Sequence, residues 1–215
     1  MKENIFKELH NALLNYDEAL VKNLVEKSIK EGIDPLETIS VLTNAITEIG
    51  DKFQREELWL PDLMLAAKTM ETGMGPLQNE IKAKGIKRSS LGKVVIGTVF
   101  GDLHSIGKGM VSTLLSANGF EVIDLGINVD SKKFIDAIQQ YNPDILAMSA
   151  LLTTTAPEME RVIKAVNEAG IRNKIKIMVG GGSITQEFAE RIGADGYEPT
   201  AVLAVSLAKK FLNIN

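Results

Sequence analysis

The stretch VVIGTVFGDLHSIGKG, Val94–Gly109, decides the fold of the second half of this chain. It opens with a β-branched run from Val94 to Phe100, passes through the small and polar residues Gly101-Asp102-Leu103-His104-Ser105, and then becomes amphipathic. A short apolar run bounded by turn residues reads as a buried strand. The pattern recurs downstream at Val122–Leu125, Ile145–Ser149 and Ile175–Val179, with a weaker run at Gly196-Tyr197 before a last helix predicted from Pro199 to Leu212. Strands alternating with helical segments of about ten to fifteen residues indicate a parallel sheet covered by helices. The prediction for this half is a flavodoxin-like or Rossmann-like α/β domain with a parallel five-stranded sheet.

Upstream the grammar is different. From Asn4 to Lys84 apolar residues recur at helical spacing, as in Leu9, Leu13, Leu14 and then Leu20, Leu24, Val25, with Lys and Glu between them. Asp17 is placed to cap a helix over Glu18–Glu31 that Gly32 ends, and Asp34-Pro35 starts another with proline at the first helical position. A further break falls at Leu60-Pro61-Asp62. These stops predict an N-terminal all-α helical bundle of four or five helices. The basic, glycine-punctuated stretch Lys82–Gly92 reads as a connector, so the predicted domains are 1–87, helical, and 92–215, α/β.

Composition narrows the function. With 215 residues, 45% hydrophobic and 24% charged, the chain has the material for two packed cores and lies outside the disordered regime. A net charge of −4 supplies no broad basic field, so nucleic acid is a poor partner. The absence of cysteine excludes disulfides, thiolate metal sites and cysteine nucleophiles. No segment resembles a secretory signal or a membrane span, and the expectation is a cytoplasmic protein without membrane association.

Ligands of open parallel α/β sheets bind beyond the strand carboxyl ends. There this sequence places Gly101–Gly109, then Ser149-Ala150-Leu151-Leu152-Thr153-Thr154-Thr155, then Gly180-Gly181-Gly182-Ser183. A neutral imidazole at His104 can ligate a transition metal while Asp102, two residues away, holds its other ring N–H. Only two histidines exist, His10 and His104, and one protein ligand cannot retain a bare ion. The metal would therefore arrive caged in a cofactor. Each residue also has a plainer reading: Asp102 as a helix N-cap or a turn residue, the hydroxyls after the third strand as loop residues, and Gly181 and Gly182 as turn formers. Trp59 can equally pack inside the bundle, and Met64, Met70 and Met74 read as core filler. Gly107-Lys108-Gly109 lacks the Ser or Thr of a Walker loop.

Taken in order, Asp102-x-His104-x-x-Gly107, Ser149-x-Leu151 and Gly181-Gly182 resemble the cobalamin-binding module of methionine synthase and of the corrinoid proteins in methanol and methylamine methyltransferase systems. Ile49-Gly50-Asp51-Lys52-Phe53 and Leu58-Trp59-Leu60-Pro61 are similar to that family's helical cap, so the resemblance covers nearly the whole chain. It implies a corrinoid bound base-off, with His104 as the lower cobalt ligand and the detached nucleotide base in a channel lined by Ser149, Leu151, Gly181 and Gly182. The implied cofactor contacts also include Asp102, Ser105, Ile106, Gly107, Thr153 and Thr155, with Trp59 and Leu60 as an apolar lid over the methyl face. Thr155 stands where methionine synthase has a serine that bonds the ligand aspartate, which implies a proton relay through Asp102 and Thr155.

The implied function is methyl carriage between a substrate:corrinoid methyltransferase and a corrinoid:acceptor methyltransferase, with cobalt cycling between Co(I) and methyl-Co(III) and a reductive activase as third partner. The chain itself is expected to be a non-catalytic subunit, because a substrate barrel of about 250 residues has no room in it. The alternatives are a cobalamin-dependent sensor or regulator, whose usual DNA-binding segment and Glu-His signature after the tryptophan are missing, and the small subunit of an adenosylcobalamin mutase, which ordinarily has no helical cap. An anaerobic metabolic setting is also implied by the resemblance.

Overall fold

The computed structural model describes residues 2–85 and 90–214, apart from the Gln54 side chain. It divides into two compact units, Met1–Ser89 and Ser90–Asn215. The centre of the predicted connector and the predicted boundary after residue 87 lie outside the described residues.

The first unit contains α1 (Lys2–Leu14), α2 (Glu18–Lys30), α3 (Pro35–Gln54) and α4 (Leu60–Ala83). Its helix starts follow the side chains the sequence offers. Asp17 accepts from the Leu20 amide at 2.9 Å, and Asp34 accepts from the Leu36 amide at 2.9 Å with Pro35 in the first turn. Such caps satisfy amides that have no helical partner, each worth about 1 kcal/mol. Gly32, with φ +72°, ends α2 as expected. The apolar faces meet in a core containing Leu9, Leu13, Val21, Leu42, Ile46, Met70 and Leu77. α1 packs on α2 and α3, and α4 packs on the same two helices. Met70 and Met74 are core residues as expected, whereas Met64 is exposed, because it shares the outer face of α4 with Leu60.

The second unit alternates β1 (Lys93–Thr98), α5 (Ile106–Ala117), β2 (Glu121–Asp124), α6 (Ser131–Tyr141), β3 (Ile145–Ser149), α7 (Pro157–Glu168), β4 (Lys176–Gly180), α8 (Gln186–Ile192), β5 (Gly196–Tyr197) and α9 (Ala201–Phe211). All pairings are parallel, in the order β2-β1-β3-β4-β5. α5 packs with α9, while α6, α7 and α8 form a second group. The predicted five-stranded α/β fold is the one observed.

The order reverses between β1 and β3, and there the connections leave in opposite directions and open a crevice at the strand carboxyl ends. β1 is shorter than the run Val94–Phe100 suggests: after Thr98 only Val99 keeps a bridge, to Val129, and Gly101 at φ +78° turns the chain away. Phe100 is apolar in sequence yet half exposed, so an uninterrupted apolar pattern overstated the strand.

Candidate functional site

Asp102 is the electrostatic centre of the crevice. It is fully buried, and both carboxylate oxygens are occupied. Oδ1 accepts from the His104 backbone N–H at 3.0 Å and from His104 Nδ1 at 2.8 Å. Oδ2 accepts from the Thr155 hydroxyl at 2.6 Å, from the Leu151 N–H at 2.8 Å and, at 3.4 Å, from the Leu152 N–H. Burial is the largest single influence on this carboxyl and pushes its pKa up. The Thr155 hydroxyl, the His104 amide and ring, and the Leu151 amide together outweigh it, and they hold the group well below the usual carboxylate range. Asp102 is therefore an anion. It does not cap α5, whose N-cap position is Ser105, but its bond to the His104 N–H two residues on is the contact its plainer reading as a turn residue expects.

The charge of Asp102 fixes the state of its neighbour. An ionised carboxylate only accepts, so His104 Nδ1 carries the proton in this contact and the neutral ring keeps its lone pair on Nε2. The main chain is held as firmly: the buried Thr98 hydroxyl donates to the His104 carbonyl at 3.1 Å. The imidazole is thus oriented from below by β1 and Asp102, while its side chain remains 51% exposed. Among the described residues no group of three or more His, Cys, Asp or Glu could hold a metal ion, so a metal at Nε2 would have to bring its other ligands with it.

Phe100, Leu103, Ile106, Ile127, Leu151 and Leu152 are each 42% or more exposed, and they sit on the loops after β1, β2 and β3 and at the start of α5. Exposed apolar residues on the loops at the strand carboxyl ends, together with one oriented ring nitrogen, suit a ligand platform.

The other predicted residues divide by position. Ser105, Ile106 and Gly107 are exposed at the start of α5, and a Cβ at Gly107 would meet nothing within 4 Å. Ser149 is half-buried at the end of β3, and Thr153 is exposed in the following turn, away from the Asp102 network that Thr155 joins. Gly181 has a stronger reason to be glycine than a ligand. At φ +129°, a Cβ there would lie 1.9 Å from the Ala150 carbonyl oxygen, so the loops after β3 and β4 touch backbone to backbone. Gly181→Ala is expected to cost about 3–5 kcal/mol through backbone strain and overpacking. Urea unfolding of the variant checks this, and an unchanged midpoint would refute it. A Cβ at Gly182 would meet Leu151 Cδ1 at 2.7 Å. The Ser183 hydroxyl, next in sequence, is buried and has no hydrogen-bond partner among the described residues, which suits a site that receives a polar group.

In the helical unit Trp59 is 75% exposed and Leu60 53%, so Trp59 is not core packing. Its extended backbone is fixed where α4 begins: the Trp59 N–H donates to Asp62 Oδ2 at 2.8 Å.

Thr155 carries its own prediction. Its hydroxyl also lies 3.0 Å from the Leu152 carbonyl, so it links the anion to the turn that follows β3. Thr155→Val is expected to cost about 1.5–3 kcal/mol, the range for a hydrogen bond to a charged group, whereas Thr155→Ser retains most of the stability. Equal stability of the two variants in urea would show that the hydroxyl is not what matters.

Sequence reasoning passed over Thr98 and Asn128, and it placed Ser183 at the strand ends without giving it a role. Thr98 is a lone polar residue in an otherwise apolar strand and was detectable on that ground. Asn128 acts across 27 residues, a separation that no local pattern reveals.

Comparison with known proteins shows the family of the chain. Residues 92–206 match the model of a B12 binding domain, and residues 5–78 match a second B12 binding domain model. Trimethylamine corrinoid protein 1 of Methanosarcina acetivorans is 40% identical over 212 residues, covering 98% of each chain. Dimethylamine corrinoid protein of Methanosarcina barkeri is 41% identical over 212 residues, covering 98% of this chain and 99% of its own. The crystal structure of the methanol:cobalamin methyltransferase complex of Methanosarcina barkeri contains a chain that superposes with a TM-score of 0.83 at 28% identity, covering 99% of this chain and 81% of that one. With both B12-binding models matched and near-complete coverage by two amine corrinoid proteins, the chain belongs to the corrinoid proteins of methylamine and methanol methyltransferase systems.

Proposed function

We propose that this protein binds a cobalamin-type corrinoid base-off, with His104 Nε2 as the lower axial ligand, and carries methyl groups between two methyltransferases without catalysing either transfer itself. The observation that carries the proposal is the pairing of His104 Nδ1 with the buried, ionised Asp102, which leaves Nε2 as the ligating atom on a half-exposed ring at the strand carboxyl ends. When bound, the corrinoid supplies a cobalt that takes up a methyl group in its Co(I) state and releases it from methyl-Co(III).

The chain's own residues then have distinct tasks. Asp102 holds the imidazole tautomer and compensates an imidazolium when Nε2 takes up a proton, and Thr155 steadies Asp102 from the other side. Ser149, Leu151, Gly181 and Gly182, on adjoining loops, are proposed to line the channel for the detached nucleotide base. Ser105, Ile106, Gly107 and Thr153 are proposed as further contacts. Trp59 and Leu60 supply exposed apolar surface from the helical unit, proposed here to keep water from the reactive cobalt–carbon bond. The proposed domains are 1–87 and 92–215.

The proposed partners are a substrate:corrinoid methyltransferase for a methylated amine or methanol, a corrinoid:acceptor methyltransferase and a reductive activase. The test loads the full chain with hydroxocobalamin, reduces it, and presents it to trimethylamine, dimethylamine and methanol methyltransferases with their substrates. Methylation of the bound corrinoid by one of them, followed by its demethylation by an acceptor methyltransferase, is expected. A loaded protein that none of them methylates, beside a related corrinoid protein that is methylated, would contradict the carrier role.

A further inference from the structure

The loop after β2 clamps the segment that carries His104, and nothing in the motifs points to it. Asn128 makes both contacts. Its Oδ1 accepts from the Gly101 N–H at 2.7 Å, and its own N–H donates to the Asp102 carbonyl at 3.1 Å. It does so from a left-handed conformation, φ +53°, which asparagine tolerates better than most side chains. Of the two residues it holds, Asp102 orients the imidazole, and both lie within three positions of His104, which bears it.

The clamp is itself anchored to the element that follows the histidine. Asp124, at the end of β2, accepts from the Gly126 N–H at 2.8 Å through Oδ1, and its Oδ2 pairs with the Lys108 ammonium. Lys108 lies in the first turn of α5 and is only 5% exposed, an unusual place for lysine unless its charge is matched. The Gly126 carbonyl in turn accepts from the Thr98 N–H at 3.0 Å, and Thr98 donates its hydroxyl to the His104 carbonyl. These bonds close a circuit: from the His104 loop into α5, through Lys108 to Asp124, along the loop to Asn128, and back to Gly101 and Asp102.

A chain segment held from one side only can rotate about its own ends. Asp102 and Thr98 grip the segment on the β3 side and from below, and the Asn128 loop grips it on the β2 side. We infer that Asn128 is a positioning residue for His104, with the Lys108–Asp124 ion pair fixing Asn128 in place. The inference rests on the proposal that His104 ligates cobalt, and it adds what holds the ligand to its line of approach.

Asn128→Gly tests it with little risk to the fold, since glycine adopts the same φ without strain and loses only the side-chain acceptor. Asn128→Asp keeps an acceptor for the Gly101 amide. The full-length protein without cofactor is examined by amide hydrogen exchange, and then, loaded with hydroxocobalamin and reduced to the Co(II) state, by electron paramagnetic resonance for nitrogen splitting and by equilibrium retention of corrinoid. In Asn128→Gly, exchange at Gly101 and its neighbours is expected to quicken, the nitrogen-ligated fraction to fall, and corrinoid to bind about three- to tenfold more weakly, as loss of one hydrogen bond allows. Asn128→Asp is expected to restore all three. Wild-type protein that shows nitrogen ligation, with Asn128→Gly showing the same ligated fraction and the same affinity, would overturn the positioning role while leaving the ligand proposal standing. Wild-type protein that retains no corrinoid, or retains it without nitrogen splitting, would overturn both.

Discussion

Asp102→Asn is expected to be among the most damaging single changes in the protein despite its near-identical shape. Every group facing the two carboxylate oxygens is a donor in this structure: the His104 amide and ring, the Leu151 and Leu152 amides and the Thr155 hydroxyl. An amide NH2 must displace one set. Turned toward His104, it faces the backbone N–H and drives the ring to the other tautomer, which places a proton on Nε2 where the lone pair is needed. Turned toward β3, it faces the Leu151 N–H, and only the Thr155 hydroxyl can reverse its role. The cost is on the order of 3 kcal/mol from an unpaired buried donor. Asp102→Ala takes the acceptor from the Leu151 amide and the other buried donors at once and is expected to cost about 3–5 kcal/mol, on the scale of about 1–3 kcal/mol for each buried donor left unpaired. Urea unfolding followed through the α/β unit measures both. Variants that unfold at the wild-type midpoint would show that the carboxylate is not the hub described here.

His104→Ala has the opposite profile: small for the fold and total for the ligation. The ring is half exposed and gives up one hydrogen bond, so stability is expected to change by about 1 kcal/mol. The loss of the His104 ring nitrogen is expected to abolish histidine-ligated spectra and to weaken corrinoid retention; His104→Gln, which keeps bulk and polarity, is expected to do the same. Unchanged cofactor spectra in either variant would remove His104 from the cobalt.

The two expectations separate what the sequence could and could not disclose. Fold was readable because its determinants are local: Asp17, Asp34 and Pro35 announce helix starts, and the alternation of β-branched runs with helical stretches announces the parallel sheet. Asp102 and His104 were readable because they sit two residues apart in one loop. The family resemblance names Thr155 as a partner of Asp102, and its hydroxyl does bond that carboxylate. The other partners were not legible: Leu151 engages Asp102 through its backbone amide, which any residue would supply, and Asn128 reaches the segment across a long separation set by the crossovers. Gly181 has the positive φ, +129°, that its reading as a turn former expects, and it also permits a contact with Ala150 that no single-sequence pattern can show. Trp59 illustrates the limit from the other side, since hydrophobicity alone cannot tell a core tryptophan from an exposed one.

The central claim is that His104 supplies the cobalt's lower nitrogen, and a chain with two histidines allows it to be tested without ambiguity. The measurement is electron paramagnetic resonance of the full-length His10→Gln protein, grown with histidine labelled with nitrogen-15 and loaded with unlabelled corrinoid in the Co(II) state. Ligation by His104 predicts that the triplet splitting from ordinary nitrogen becomes a doublet in the labelled protein, because the only labelled ring left is His104. A triplet that survives labelling would mean that the corrinoid's own base holds the cobalt, and it would contradict the account of this site.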